Sequence, residues 1–491
     1  TNTSTLEDNA FYVAKVKVEH RFQKSLVGAF VNFENNSRKD IATNQFVNTS
    51  HRFKEFETYV GIGDTTKIFS KIGVNFRNND SIKSNQFAEI NTRKTFYIDS
   101  KLIKNKFTNL SVFANYRITQ NNFTEDEKTL NSRVVFNQKL FDNFVNVKTI
   151  YETSSGNVAR QDYVYVKTEP GLGFYTWIDY NEDGIQDFNE FEIALFQDQA
   201  EYLRLPKPNL RFIATQRASF QQTLTLNPKN WAEKTGIKKW LSHFYNSTFL
   251  TVENEQERIG NSFQLNPFDV NSNALIGLNY NFKNSLFYHK DLQNHSMTFT
   301  YGDSQLKQQY FIGSQENKIN LHQLDYAHKF ADFWLIDLMG KLTNNDLTTE
   351  NFDDRNYEIN SYEIAPKINF LYSKNNRFSA FYHFTNKQNR LQNFEQLQQQ
   401  KFGIEYFYLG DNNNQISANV TLFLNDFQGN VNSPVAYQML EGFQGGKNYT
   451  WNLLFNKKLN SFLNLQLNYL GRKSENSKTI HTGNVQLRAI F

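Results

Sequence analysis

Along much of this chain polar and apolar residues alternate with a period of two, the spacing of a strand with one face toward water and one toward hydrocarbon or a core. Near the C-terminal end Val485, Leu487, Ala489 and Phe491 share one face, and Asn484, Gln486 and Arg488 the other. Leu463, Leu465, Leu467 and Tyr469 alternate with Asn464, Gln466 and Asn468, and Tyr449, Trp451, Leu453 and Phe455 with Thr450, Asn452 and Asn456. Far upstream, Ile68, Ser70, Ile72, Val74 and Phe76 alternate with Lys67, Lys71, Asn75 and Arg77. Leu110, Val112, Ala114, Tyr116 and Ile118 repeat the pattern against Ser111, Asn115, Arg117 and Thr119.

A soluble β-sandwich array also alternates, so scale and turn lengths separate the two readings. The pattern yields about 23 strand candidates of roughly 9 to 13 residues, the length that crosses a bilayer at a tilt. Tight turns begin at Gly63, Lys104, Phe141, Ser373, Gly410 and Lys458, and long polar segments begin at Asn35, Asn344 and Asn389. Outer-membrane barrels show this asymmetry, with short periplasmic turns and longer external loops. Pro170, Pro206, Pro208, Pro228, Pro267 and Pro434 fall in expected connections, where no ladder hydrogen bond is lost; Pro366 falls inside a strand. The expected fold is therefore all-β: a large antiparallel transmembrane β-barrel of about 22 to 24 strands with one large extracellular insertion. An odd count would start the first strand outside, which favours at least one further strand upstream of Thr1 over a miscount by one.

Composition supports this reading more than it extends it. Hydrophobic residues make up 39%, yet there are 47 Phe and 25 Tyr. No cysteine is present, which excludes disulfides and thiolate chemistry, and the net charge of +4 comes without a dense basic run. Nucleic acid is not an expected partner. No stretch approaches the roughly 18 apolar residues of a helical span, and the chain opens at Thr1 without a signal-peptide pattern.

Residues 155–208 interrupt the strand rhythm between barrel segments 1–154 and 209–491, and topology counted back from a periplasmic C-terminus puts them outside. They contain DYNEDGIQDFNE, in which Asp179, Asn181, Asp183, Asp187 and Glu190 supply oxygens at loop positions one, three, five, nine and twelve. Gly184 permits the sharp turn and Ile185 offers its carbonyl. Oxygen-only donors at this spacing suit structural Ca²⁺, and the loop resembles those of extracellular repeat modules that lack flanking helices. The plainer alternative is a solvated acidic turn. Residues 227–241, with Trp231 and Trp240, read either as a short interfacial helix or as a long turn.

The chain resembles the large outer-membrane β-barrel proteins of Bacteroidota, on the stretches from Gly173, Asn227 and Ile480. Its terminal aromatic, Phe491, resembles the end signal read by the barrel-assembly machinery, which that likeness implies as a partner beside outer-membrane lipid. Some large barrels of these bacteria belong to surface-protein assembly or secretion complexes. A wide lumen without a visible N-terminal plug has to be closed by inward loops, an upstream domain or a partner protein. The leading expectation is thus a non-enzymatic structural or accessory subunit of an envelope complex. The alternatives are a porin-like or TonB-dependent-receptor-like transport channel and a calcium-dependent adhesin. Lys67, Lys71, Arg77, Arg117, Lys341 and Arg488, together with acidic and amide residues, give the wet face a mixed lining with no single-sign ring, and His383 reads as a lining residue, not a base.

Overall fold

The computed structural model describes residues 7–64, 66–159, 162–207, 212–260, 262–270, 273–290, 292, 294–310, 312–391, 394–410, 414–460 and 462–489. Phe491, Pro208 and the centre of the turn after Gly410 lie outside the described residues. The chain divides into two compact units. The first comprises Thr1–Ala159, Phe212–Leu224 and Leu250–Leu278, and the second Arg160–Arg211, Thr225–Phe249 and Asn279–Phe491.

Strands dominate because the period-two pattern lets antiparallel neighbours satisfy every backbone group while sorting side chains by polarity. A sheet of 21 strands holds most of the described residues, and a separate sheet of four short strands holds the insertion. Among the described residues the expected 22 to 24 strands are thus corrected to 21. The ladders run farther than a bilayer crossing needs: Gln86–Lys104 spans 19 residues, long enough to be counted twice by a nine-residue pattern. Segments taken for loops also enter the ladder in part, since Ser25–Asp40 and Gln396–Leu409 carry strand into the polar stretches that begin at Asn35 and Asn389.

The turns alternate as expected, with exceptions at both ends. Phe141, Asp142 and Asn143, all with positive φ, close one tight turn. At the end where the long loops gather, Gln86–Lys104 follows Phe69–Lys83 after only Ser84 and Asn85, whose φ values of 48° and 59° match the right-handed twist of a hairpin. Residues 227–243, at the short-turn end, hold the 3₁₀ turn Pro228–Trp231 and the single-turn helix Ile237–Leu241.

In the first unit, glycines open room for rings on the polar face. Gly28 stands opposite Tyr59 and Gly73 opposite Tyr97 in register. A Cβ on Gly28 would lie 2.3 Å from Tyr59 Cζ. Laid across the glycine, Tyr59 donates its hydroxyl to Glu19 at 2.8 Å, and Lys71 sits 3.8 Å from its ring centre while pairing with Glu57 at 3.2 Å. Gly28→Val should therefore cost about 1–3 kcal/mol through overpacking, read as an earlier thermal transition in detergent. Adding Tyr59→Ala should recover part of that loss, because the two changes share one space.

Candidate functional site

In the second unit the apolar face is the exposed one. Ile364, Ile368, Ile404 and Val420 are 40 to 63% exposed, whereas Asn369, Thr385 and Gln399 on the opposite face are at most 3% exposed. The polar face of four strands, Trp334–Thr349, Tyr357–Ser373, Asn376–Asn389 and Gln396–Leu409, carries a paired charge array. Glu363 accepts from Lys341 at 2.9 Å and lies 3.0 Å from His383 Nε2, and Lys367 pairs with Glu405 at 2.5 Å. Asn369 donates to Asp337 at 2.8 Å and accepts from Ser379 at 2.7 Å. Because Pro366 has no N–H, the ladder toward Asn376–Asn389 skips Ala365 and Pro366. A cleft of about 470 Å³ opens there, lined by Asp325, Asp337, Lys367, Phe381, His383 and Glu405.

Nothing in this array makes a single-sign ring. Of the lining charges expected from the alternation, three pair across strands: Lys71 with Glu57 at 3.2 Å, Arg77 near Glu55 at 3.8 Å and Lys341 with Glu363 at 2.9 Å. His383 is a lining residue held by a carboxylate.

Above the array, at the long-loop end, the connection 429–445 folds onto the polar face. Its helix Pro434–Leu440 starts at Ser433, whose side chain accepts from the Ala436 N–H, and ends in left-handed Glu441. Val435, Ala436, Met439 and Leu440 bury against Leu347, Tyr357, Ile359 and Leu397, an apolar patch on an otherwise polar surface. Lys387 and Lys401 both reach Glu441, at 2.8 and 3.3 Å. Burial opposes ionisation of Glu441, yet the two lysines hold its carboxyl below the usual range.

The insertion seats on the same face. Its strands run in the order Phe191–Ile193, Tyr175–Trp177, Tyr202–Lys207, Asp162–Lys167, around Tyr165 stacked on Phe191 at 3.9 Å. Arg355, from the connection 350–356, donates to the Asn189 carbonyl at 2.6 Å and pairs with buried Glu192 at 2.8 Å. Tyr437, on the folded-in helix, donates to the Ile193 carbonyl at 3.1 Å. Arg472, on the polar face of Leu463–Ser474, pairs with Asp198 and lies 4.0 Å from the Phe196 ring centre. Burial pushes the Glu192 carboxyl up, with Arg355 and Tyr180 working against it. Sequence reasoning missed Arg355, Tyr437 and Arg472, because their partners lie 163 to 274 positions away and carry no local signal.

The acidic loop lies between Tyr175–Trp177 and the 3₁₀ turn Phe188–Glu190. Asp179 accepts from Gly184 N at 2.8 Å, Asn181 from Asp183 N at 3.1 Å and Asp183 from Ile185 N at 2.7 Å, while Gly184 has φ +73°. The loop is tight and Asn181 and Asp183 are exposed on it, but among the described residues no three acidic or imidazole side chains converge as a ready-made ligand set. Glu190 points elsewhere: 1% exposed, it accepts from Trp177 Nε1 at 2.8 Å and from the N–H groups of Tyr180 and Asp187 at 3.3 Å each. Asp187 caps the turn that presents Glu190.

No family model and no curated protein matches the chain. Among solved structures it is similar to the ferric-catecholate import receptor Fiu of E. coli K12 in its open form, at 11% identity and TM-score 0.34, over 95% of this chain and 75% of that one. It is also similar to the FrpB iron transporter of Neisseria meningitidis, at 8% identity and TM-score 0.39, over 98% and 80%. A mutant of the ferric enterobactin receptor PfeA of Pseudomonas aeruginosa follows at 9% identity and TM-score 0.36, over 94% and 72%. By their own descriptions these are an import receptor, a transporter and a receptor, and the expected structural or accessory subunit of an assembly or secretion complex is corrected, for it finds no support. The motive for that expectation also falls within the second unit, where the chain folds its own helix and insertion onto the polar face.

Breaking one side of the docking pair should be asymmetric. Arg355→Ala strands the buried Glu192 carboxylate and should cost the docked state about 3–5 kcal/mol, whereas Glu192→Gln leaves Arg355, less buried and still bonded to the Asn189 carbonyl, and should cost less. Limited proteolysis within 189–198 reads the difference. Glu441, whose folded-state pKa is depressed, contributes stability above the ordinary carboxylate value that is lost as pH falls through the folded one. Hydrogen exchange in 429–445 should therefore accelerate below about pH 4.5, and Glu441→Gln should abolish that pH dependence.

Proposed function

We propose that the chain is a non-enzymatic transport channel of the bacterial outer membrane, a β-barrel whose passage is obstructed by the insertion and the helix Pro434–Leu440. The observation that carries the reading is the inverted exposure of its sheet, apolar outside contact and polar inside cover. An aromatic band supports the membrane placement. Phe244, Tyr288, Phe330, Trp334, Phe370, Phe378 and Tyr406 sit at the short-turn ends of successive strands, with Trp334 and Phe370 in contact at 4.9 Å and Phe378 and Tyr406 at 4.7 Å. Aromatic girdles mark the level of the lipid headgroups. In this reading the short turns and the C-terminus are periplasmic, the insertion is extracellular, and the protein reaches the membrane through the barrel-assembly machinery.

The paired charges favour a polar solute over a selected ion, since cross-strand neutralisation leaves little net field along the path. The insertion is latched by the ion pairs of Arg355 and Arg472, the Tyr437 hydroxyl and ring contacts of Phe196 with Phe443 and Tyr163 with Tyr310.

Structural Ca²⁺ fits the same picture. Asp179, Asn181, Asp183, the Ile185 carbonyl and Asp187 would hold it, and Glu190 would brace the loop from beneath. Bound there, the ion would supply rigidity and no chemistry.

In planar bilayers the full-length protein should show little steady conductance, and Arg355→Ala/Arg472→Ala or removal of 162–207 should raise it severalfold. Silence of all three, with strand content intact, would sink the channel reading. For the loop, chelation should expose 179–190 to protease in the intact protein, and Asp179→Asn/Asp183→Asn should be cleaved equally with and without calcium.

A further inference from the structure

Nine histidines are spread through the chain, yet three meet at the short-turn end of neighbouring strands and a fourth stands in register with one of them. His243 directly precedes the strand Phe244–Glu257, His289 follows Leu275–Tyr288, and His295 opens His295–Tyr310. His328 is the register partner of His295 on Gly313–Phe330. The His289 ring centre is 4.7 Å from that of His243 and 4.4 Å from that of His295. The backbone holds them together, with His289 N donating to the His243 carbonyl at 2.8 Å.

We propose that His243, His289 and His295 form a site for a divalent transition-metal ion of the zinc class, with His328 beside it as the fourth donor. Imidazole nitrogens alone, without carboxylate or thiolate, suit Zn²⁺, Ni²⁺ and Cu²⁺ and do not suit Ca²⁺ or Mg²⁺. A tetrahedral ion bound at about 2.0–2.1 Å by each nitrogen sets imidazole centres roughly 5 Å apart, close to the separations seen. His243 Nδ1 lies 3.0 Å from the Trp240 carbonyl, the outer contact that fixes a ligand imidazole's tautomer and leaves Nε2 for the metal. Nδ1 of both His289 and His328 is buried and makes no hydrogen bond among the described residues. A bound ion would satisfy such nitrogens.

The rings now meet edge to face, at 73° and 64°, and among the described residues no three acidic or imidazole groups form a ready-made ligand set. Binding therefore requires the rings to turn about Cβ–Cγ, without backbone movement. Tyr288, stacked on His289 at 4.1 Å, would form the apolar wall of the site. An ion there would clamp three consecutive strand ends at the level of the aromatic band.

The test is a Co²⁺ titration of the tag-free full-length protein in detergent at pH 7.5, followed by the visible absorption of tetrahedral nitrogen-bound cobalt, with Zn²⁺ as competitor. One saturable ion per chain is expected in the native protein and in the control His481→Gln. It should weaken at least about tenfold in His289→Gln and vanish in His243→Gln/His289→Gln/His295→Gln, both checked for retained strand content. Lowering the pH to 5.5 should release the ion as the imidazoles protonate. Native protein that takes up no saturable cobalt, or a triple variant that binds like the native one, would leave these histidines as members of the aromatic band alone.

Discussion

Every feature of this chain depends on one constraint: an antiparallel ladder must pair all its backbone groups, and doing so sends successive side chains to opposite faces. Once that alternation is set, a one-residue slip would turn every apolar residue onto the polar side. Register is consequently specified over long runs, as between Gly313–Phe330 and Trp334–Thr349, where pairing is unbroken from Gln315 to Phe330. The interruption at Pro366 shows the same rule from the other side. Remove one donor, and the local ladder parts and a cleft appears beside it.

The polar face solves a second problem, since charged groups turned away from bulk water need partners. Glu363 takes two, Lys341 and His383, and Glu441 takes Lys387 and Lys401. Cross-strand neutralisation of this kind keeps the surface wettable without a strong field. It also allows a patch of Leu347, Tyr357, Ile359 and Leu397 to receive the helix Pro434–Leu440, so that apolar burial and ion pairing together hold one connection against the face. The insertion is held by ion pairs of Arg355 and Arg472 and by ring contacts of Phe196 with Phe443 and Tyr163 with Tyr310.

How much of this was legible beforehand can be judged from particular residues. Ile72 and Phe76, exposed, and Lys71 and Arg77, partly buried, fall on the faces that period-two reading assigns, and the tight turn at Phe141 stands where it was read. The strand number was less legible, because polar stretches such as Asn35 to Asp40 continue the ladder once a partner strand is present. The acidic loop was legible as spacing. The direction of Glu190 was not, since Trp177 and the Tyr180 and Asp187 N–H groups claim its carboxylate only when the strand and the turn are folded together.

By itself, then, the sequence determined the alternation, the β class and the chemical character of each face, since these rest on neighbouring residues and on a period set by backbone geometry. Tertiary structure alone decided which loops fold back and what they meet. Arg355 finds Glu192, Arg472 finds Asp198, and His243, His289 and His295 come together because strand pairing makes neighbours of residues that local pattern keeps apart. Such contacts depend on register summed over several ladders, and a window of one strand's length carries no record of it.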